Sequence, residues 1–123
     1  MYQRILVGTD GSKTAAKAVD RAVEVAASSG AALTILSVGK PDKAGAVVAA
    51  EAARHAGAGV AIDTKVVDAD AVEGLVREAA DSGVDLLVMG NKGMTGLTRF
   101  LRGSVPNKVA HHLPCSLLIV KTT

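Results

Sequence analysis

The residues best suited to chemistry lie between Leu86 and Val109, in the stretch LLVMGNKGMTGLTRFLRGSVPNKV. Leu86 to Met89 form an apolar run ended by Gly90, which reads as a buried strand, and Gly103-Ser104 marks a second start signal further on. Between them lies a loop punctuated by glycines. Gly90 and Gly93 can take positive φ and let backbone N–H groups converge, while Ser104 is a good N-cap with Pro106 in the first turn after it. Such a loop makes a concave nest of donors, and a helix start adds about half a positive charge, so the chemistry on offer is anion binding, with a phosphate as guest.

Charge placement agrees with this. The formal net charge is only +2, too small to argue for nucleic acid or a membrane surface as partner. Yet no Asp or Glu comes after Asp85, whereas Lys92, Arg99, Arg102, Lys108 and Lys121 do, so the last third is basic around the glycine loop. Lys92, Arg99 and Arg102 are candidate phosphate contacts. The bland alternative for these three is a solvated basic face.

Elements that could position this loop alternate along the chain. Arg4 to Thr9 reads as a strand with apolar residues on both faces, and the turn Thr9-Asp10-Gly11-Ser12 leads into a helix capped by Ser12 and stopped by Gly30. Leu33 to Val38 is a second strand, succeeded by a break at Gly39 to Asp42 and an alanine-rich helix from about Lys43 to His55. Val60 to Val67 alternates apolar and polar residues, as a strand near a sheet edge does. Asp70 and Glu73 form a capping-box-like start for a helix that Gly83 closes. Leu86 to Met89 is the fourth strand, Val105 to His112 a helix broken at Leu113-Pro114, and Ser116 to Val120 the fifth strand. Strict alternation predicts an α/β fold, a parallel sheet covered by helices on both faces.

At 123 residues, 49% of them hydrophobic and with neither linker nor low-complexity segment, the chain is expected to form one domain over 1–123 with an aliphatic core. No apolar run reaches the length of a membrane span and the N-terminus lacks the apolar region of a signal peptide, so a cytoplasmic location is expected. The single Cys115 fits a reducing compartment and reads as a small hydrophobe. His55, His111 and His112 make no recognisable metal set.

In parallel sheets of this kind ligands sit at the carboxyl ends of strands, where successive connections leave on opposite faces. Thr9, Asp10, Val38, Asp68 and Met89 to Gly93 lie there, which places Asp10 within reach of the glycine loop.

With these residues assembled, the chain resembles the universal stress protein family, in its nucleotide-binding form. Gly90 and Gly93 are separated by two residues, nine more intervene, and then comes Gly103-Ser104, which matches the family's nucleotide signature at every position. Val7 to Ser12, V-G-T-D-G-S, resembles the family's first strand and turn, so the likeness spans nearly the whole chain. It implies a single open five-stranded parallel sheet in the order 3-2-1-4-5, like that of the adenine nucleotide alpha hydrolases, binding ATP or another adenine nucleotide, with or without Mg²⁺. Carried over, Gly8 gives close backbone approach, Thr9 and Asp10 contact the adenosine end, and Val38 lines the adenine pocket. Met89, Gly90 and Gly93 flank ribose and phosphates, and Gly103, Ser104 and Val105 hold phosphate oxygens. Two departures stand out: Gly39 to Gly59 is shorter than usual for the family, which bears on any lid, and Pro106 removes one N–H from the phosphate turn.

In that strand order the fifth strand is an edge, yet Ser116, Leu117, Leu118, Ile119 and Val120 are nearly all aliphatic. An apolar edge invites pairing, which predicts a homodimer through these residues.

The function so implied is a regulatory ATP-binding module of the stress response. One alternative is a slow ATP hydrolase or nucleotidyl-transfer enzyme, against which stands the absence of a G-x-x-x-x-G-K-[ST] loop and of an evident base. A remoter one is a receiver-type phosphoacceptor domain using Asp68, Lys121 and Asp10, which lacks the paired acids a metal needs.

Overall fold

The computed structural model describes residues 1–91 and 113–122. The helix expected over 105–112, and with it Lys92, Gly93, Arg99, Arg102, Gly103, Ser104 and Val105, lies outside the described residues. The described elements, in chain order, are β1 (Arg4–Gly8), α1 (Lys13–Ser29), β2 (Ala32–Val38), α2 (Pro41–Arg54), β3 (Ile62–Val67), α3 (Ala71–Asp81), β4 (Leu86–Gly90) and β5 (Ser116–Val120). The strands make one five-stranded sheet in the order β3-β2-β1-β4-β5, parallel at every pairing.

Both faces of the sheet are dry because both are covered. Helices α1 and α2 close one face over Ile5, Val7, Leu33, Ile35, Leu86 and Val88, while α3 closes the other over Leu6, Leu36, Leu87 and Met89. This is why β1 and β4 read as unbroken aliphatic runs. Each such side chain, fully removed from water, stabilises the fold by about 1.5–3 kcal/mol relative to exposure. Helix α1 meets the sheet through buried Ala15, Ala18, Ala22 and Ala26, whose small side chains let its axis come close.

Helix ends obey local chemistry. Ser12 caps α1, its hydroxyl accepting the Ala15 N–H at 3.1 Å, and Gly30 ends it in the left-handed region at φ 67. Asp70 caps α3 by accepting the Glu73 N–H at 3.4 Å. The expected capping box is only half formed, because the Glu73 carboxylate turns to Arg77, one turn on.

Several details differ from the sequence reading. Helix α2 begins at Pro41 and not near Lys43, since proline at the first helical position has a fitting φ and loses no needed hydrogen bond. Strand β3 begins at Ile62, its residues half-buried or exposed as an edge strand's should be. Gly90 does not take positive φ; it is the extended last residue of β4, paired with Val120. Ladder pairing there outweighs the freedom glycine has alone.

Candidate functional site

The chain reverses direction across the sheet between β1 and β4. From β1 the connection through α1 leads to β2 on one face, and α3 brings the chain back to β4 on the other, so a crevice opens at their carboxyl ends.

The turn after β1 is built to present Asp10 there. Thr9 is fully buried; its N–H donates to the Leu36 carbonyl at 2.9 Å, and its hydroxyl accepts the Gly11 N–H at 3.1 Å. Its described part is therefore to shape the turn. Asp10 is exposed, and its Oδ1 accepts the Ser12 N–H at 2.9 Å, an Asx turn that runs straight into the α1 cap. Gly11 stands at φ 83, where a side chain would be strained, and lies against Val47 of α2.

Between this turn and the first turns of α2 lies a cavity of about 240 Å³, lined by Asp10, Ser37, Val38, Gly39, Lys40, Lys43, Ala44 and Val47. The structure thus brings Asp10 and Val38 together in one hollow. Gly8 and Met89 do not line it: both are buried near the carboxyl ends of β1 and β4, Met89 packing in the cluster under α3, and Gly90 ends β4. Lys40 and Lys43 are site-lining residues that sequence reasoning does not single out. The available signal is one cation at the N-cap and another in the first turn of the helix that follows β2.

The start of α2 is held from its far end. Arg54 reaches Asp20 of α1 at 2.7 Å and Glu51 at 2.6 Å, and His55 Nε2 lies 3.0 Å from the same Asp20. Burial alone would lower the Arg54 guanidinium's pKa, but Glu51 and Asp20 outweigh it and raise the value. His55 is the C-cap residue of α2, and its ring also helps pin α2 to α1 through Asp20.

A larger cavity, about 560 Å³, lies at the opposite end of the sheet between α3 and the amino-terminal halves of β1, β2 and β3. Its charged groups largely satisfy each other: Lys65 Nζ meets Glu78 at 2.7 Å, the Ser82 hydroxyl donates to Glu78, and Arg4 Nη1 donates to the Ser82 carbonyl at 3.1 Å. Size alone does not make it the site; the smaller hollow lies at the carboxyl end of the sheet, where the turn after β1 meets the end of β2 and the start of α2.

Burial pushes the Glu78 carboxyl up, but the Lys65 ammonium and Ser82 hydroxyl more than reverse this, and it sits below the ordinary range. Asp85 is lowered too: slight burial raises it, while the Gln3 and Arg4 N–H groups, donating at 2.8 and 3.0 Å, favour the charged form. Both carboxyls have lower pKa values folded than unfolded, so their stabilisation is complete above the unfolded value, roughly pH 4, and is lost as pH falls through the folded one. Urea midpoints measured between roughly pH 7 and pH 3 should therefore fall toward acid, and the Glu78→Gln slope should be shallower than wild type.

Cys115 is half-buried, and burial pushes its thiol up, away from nucleophilic use. Among the described residues no group of three His, Cys, Asp or Glu side chains gathers where a metal could sit, and no helix is long and apolar enough to cross a membrane. Asp68 is exposed after β3, and β1 is separated from it by β2.

An open parallel sheet with its direction reversal between the first and fourth strands, and an acid exposed at the carboxyl end of the first, places the chain in the class of open parallel α/β domains. Comparison with known proteins narrows the class. The model of the universal stress protein family matches residues 1–54 and 42–121. Universal stress protein Rv1636 of Mycobacterium tuberculosis is 34% identical, over 99% of this chain and 98% of its own length. Universal stress protein YxiE of Bacillus subtilis is 30% identical, over 98% of this chain and all (100%) of its own. A universal stress protein solved in complex with cAMP superposes with a TM-score of 0.82 at 39% identity, covering 99% of this chain and 98% of that one. The chain belongs to the universal stress protein family.

Proposed function

We propose that this protein binds an adenine nucleotide, ATP with or without Mg²⁺, at the carboxyl ends of β1, β2 and β4, and acts as a regulatory module. The observation that carries the reading is the presentation of Asp10 beside Val38 in a hollow at the carboxyl ends of β1 and β2, the same end of the sheet at which β4 stops and the glycine pattern Gly90, Gly93, Gly103-Ser104 continues in the sequence. The 39% identical relative in complex with cAMP supports an adenine nucleotide as the class of ligand. Val38 offers an apolar wall to the base and Asp10 an acceptor to ribose hydroxyls. Phosphates would lie toward the glycine pattern and its basic flank, Lys92, Arg99 and Arg102.

Mass spectrometry of protein purified without added ligand, and then calorimetric titration with ATP, AMP and cAMP, tests the reading. Saturable binding of at least one of them at one site per chain supports it. Absence of heat with all three overturns it. Phosphate release from ATP separates a binding module from a slow hydrolase: turnover well above background that disappears in Asp10→Ala would favour the enzyme.

The module is proposed to work as a homodimer through β5. That strand is an edge of the sheet, and Ile119 on it is 42% exposed. Unpaired N–H and C=O groups beside exposed aliphatic side chains form a template for a second copy. Wild type should sediment as a dimer at micromolar concentration, and Ile119→Lys as a monomer with its fold intact.

A further inference from the structure

The crevice that opens between β1 and β4 leaves the end of β4 supported from one side. Pairing with β1 stops at Val7 and Val88, because the end of β1 belongs to β2 through Gly8 and Leu36. Pairing with β5 continues two residues further, through Met89 with Ile119 and Gly90 with Val120. In the plane of the sheet the backbone at Met89 and Gly90 is therefore held by β5 and by the residues just beyond it, while the Met89 side chain packs under α3.

Those residues form a clamp. The Asn91 N–H donates to the Val120 carbonyl at 3.0 Å, and the Asn91 side-chain oxygen accepts both the Thr122 N–H at 3.0 Å and the Thr122 hydroxyl at 2.8 Å. A backbone N–H can only donate, so the amide orientation of Asn91 is determined by its partner. Thr122 is 2% exposed, and its own carbonyl accepts from Lys17 Nζ of α1 at 3.0 Å. Thus α1, the residues beyond β5 and the end of β4 are tied at one point.

We propose that Thr122 is a positioning residue for the nucleotide: with Asn91 and Lys17 it pins the carboxyl end of β4, so that residues beyond the last strand belong to the binding machinery. This rests on the reading above, in which Met89 and Gly90 flank the ligand. Freed from the clamp, the end of β4 has no backbone partner on the β1 side to fix it in the sheet, and the bound geometry must then be ordered at the ligand's expense.

The test compares full-length wild type, Thr122→Val, Thr122→Ser and Lys17→Met by calorimetric titration with ATP, AMP and cAMP, with thermal melts alongside. Valine keeps the shape and the backbone N–H but removes the hydroxyl donor; serine restores it. Thr122→Val should bind the preferred nucleotide about three- to tenfold more weakly, the range one lost hydrogen bond allows, and Thr122→Ser about as wild type. Lys17→Met, altered at the exposed end of the clamp, should weaken binding in the same direction. Wild-type affinity in Thr122→Val, even with a lowered melting temperature, would reduce the clamp to a purely structural tie and overturn the proposal. If Thr122→Val does not fold, unchanged affinity in Lys17→Met overturns it instead. Wild type that binds none of the three nucleotides removes the nucleotide reading itself, and the clamp proposal with it.

Discussion

Asp10→Ala is expected to weaken nucleotide binding by about tenfold to a hundredfold, the span of a lost hydrogen bond to a charged group. Asp10 is exposed at the mouth of the hollow, and one of its oxygens is already committed to the Ser12 N–H. The side chain therefore has two separable jobs, holding the Asx turn and offering a charged acceptor. Asp10→Asn keeps an oxygen for the turn and removes the charge, so it should fall between wild type and alanine. Calorimetry on the three proteins, with circular dichroism to verify the fold, checks the order. Alanine binding as tightly as wild type would show that Asp10 only shapes the turn.

Gly11→Ala should be the most damaging small substitution near the site. At φ 83 a Cβ is strained by about 1–2 kcal/mol, and here it would also stand 2.9 Å from Val47 Cγ2. Val47, whose branched side chain is stiff, must turn or shift to yield, and it lines the same hollow as Lys40 and Lys43. A stability loss of at least about 1 kcal/mol is thus expected, together with weaker nucleotide binding. The double variant Gly11→Ala/Val47→Ala separates the causes, since it relieves the contact and leaves the φ strain. Urea denaturation should show partial recovery in the double variant; full recovery would mean that the backbone at residue 11 is unstrained, and none would mean that Val47 does not press on it.

Much of the fold is legible in particular residues. The caps Ser12 and Asp70, the stops Gly30 and Gly83, and the aliphatic runs of β1, β2, β4 and β5 place those elements within a residue or two. Misplacements arise where a local preference has two uses. Pro41 reads as a break and is a helix start, and Gly90 reads as a turn glycine and ends a strand. In both cases the missing information is which neighbour the backbone pairs with.

Of the candidate site, the sequence by itself determined the residue types on the strand ends and the spacing of the glycines. These are local properties, and periodicity and turn chemistry report them without reference to distant contacts. Only the tertiary structure decided that Thr9 is buried while Asp10 lines the hollow at the end of β2, that α2 brings Lys40 and Lys43 into the same hollow, and that Thr122 closes on Asn91. Neighbours in space here are distant in the chain, and what joins them is pairing and packing at the strand ends, which the strand order alone does not fix: the end of β1 stays paired with β2 and parts from β4.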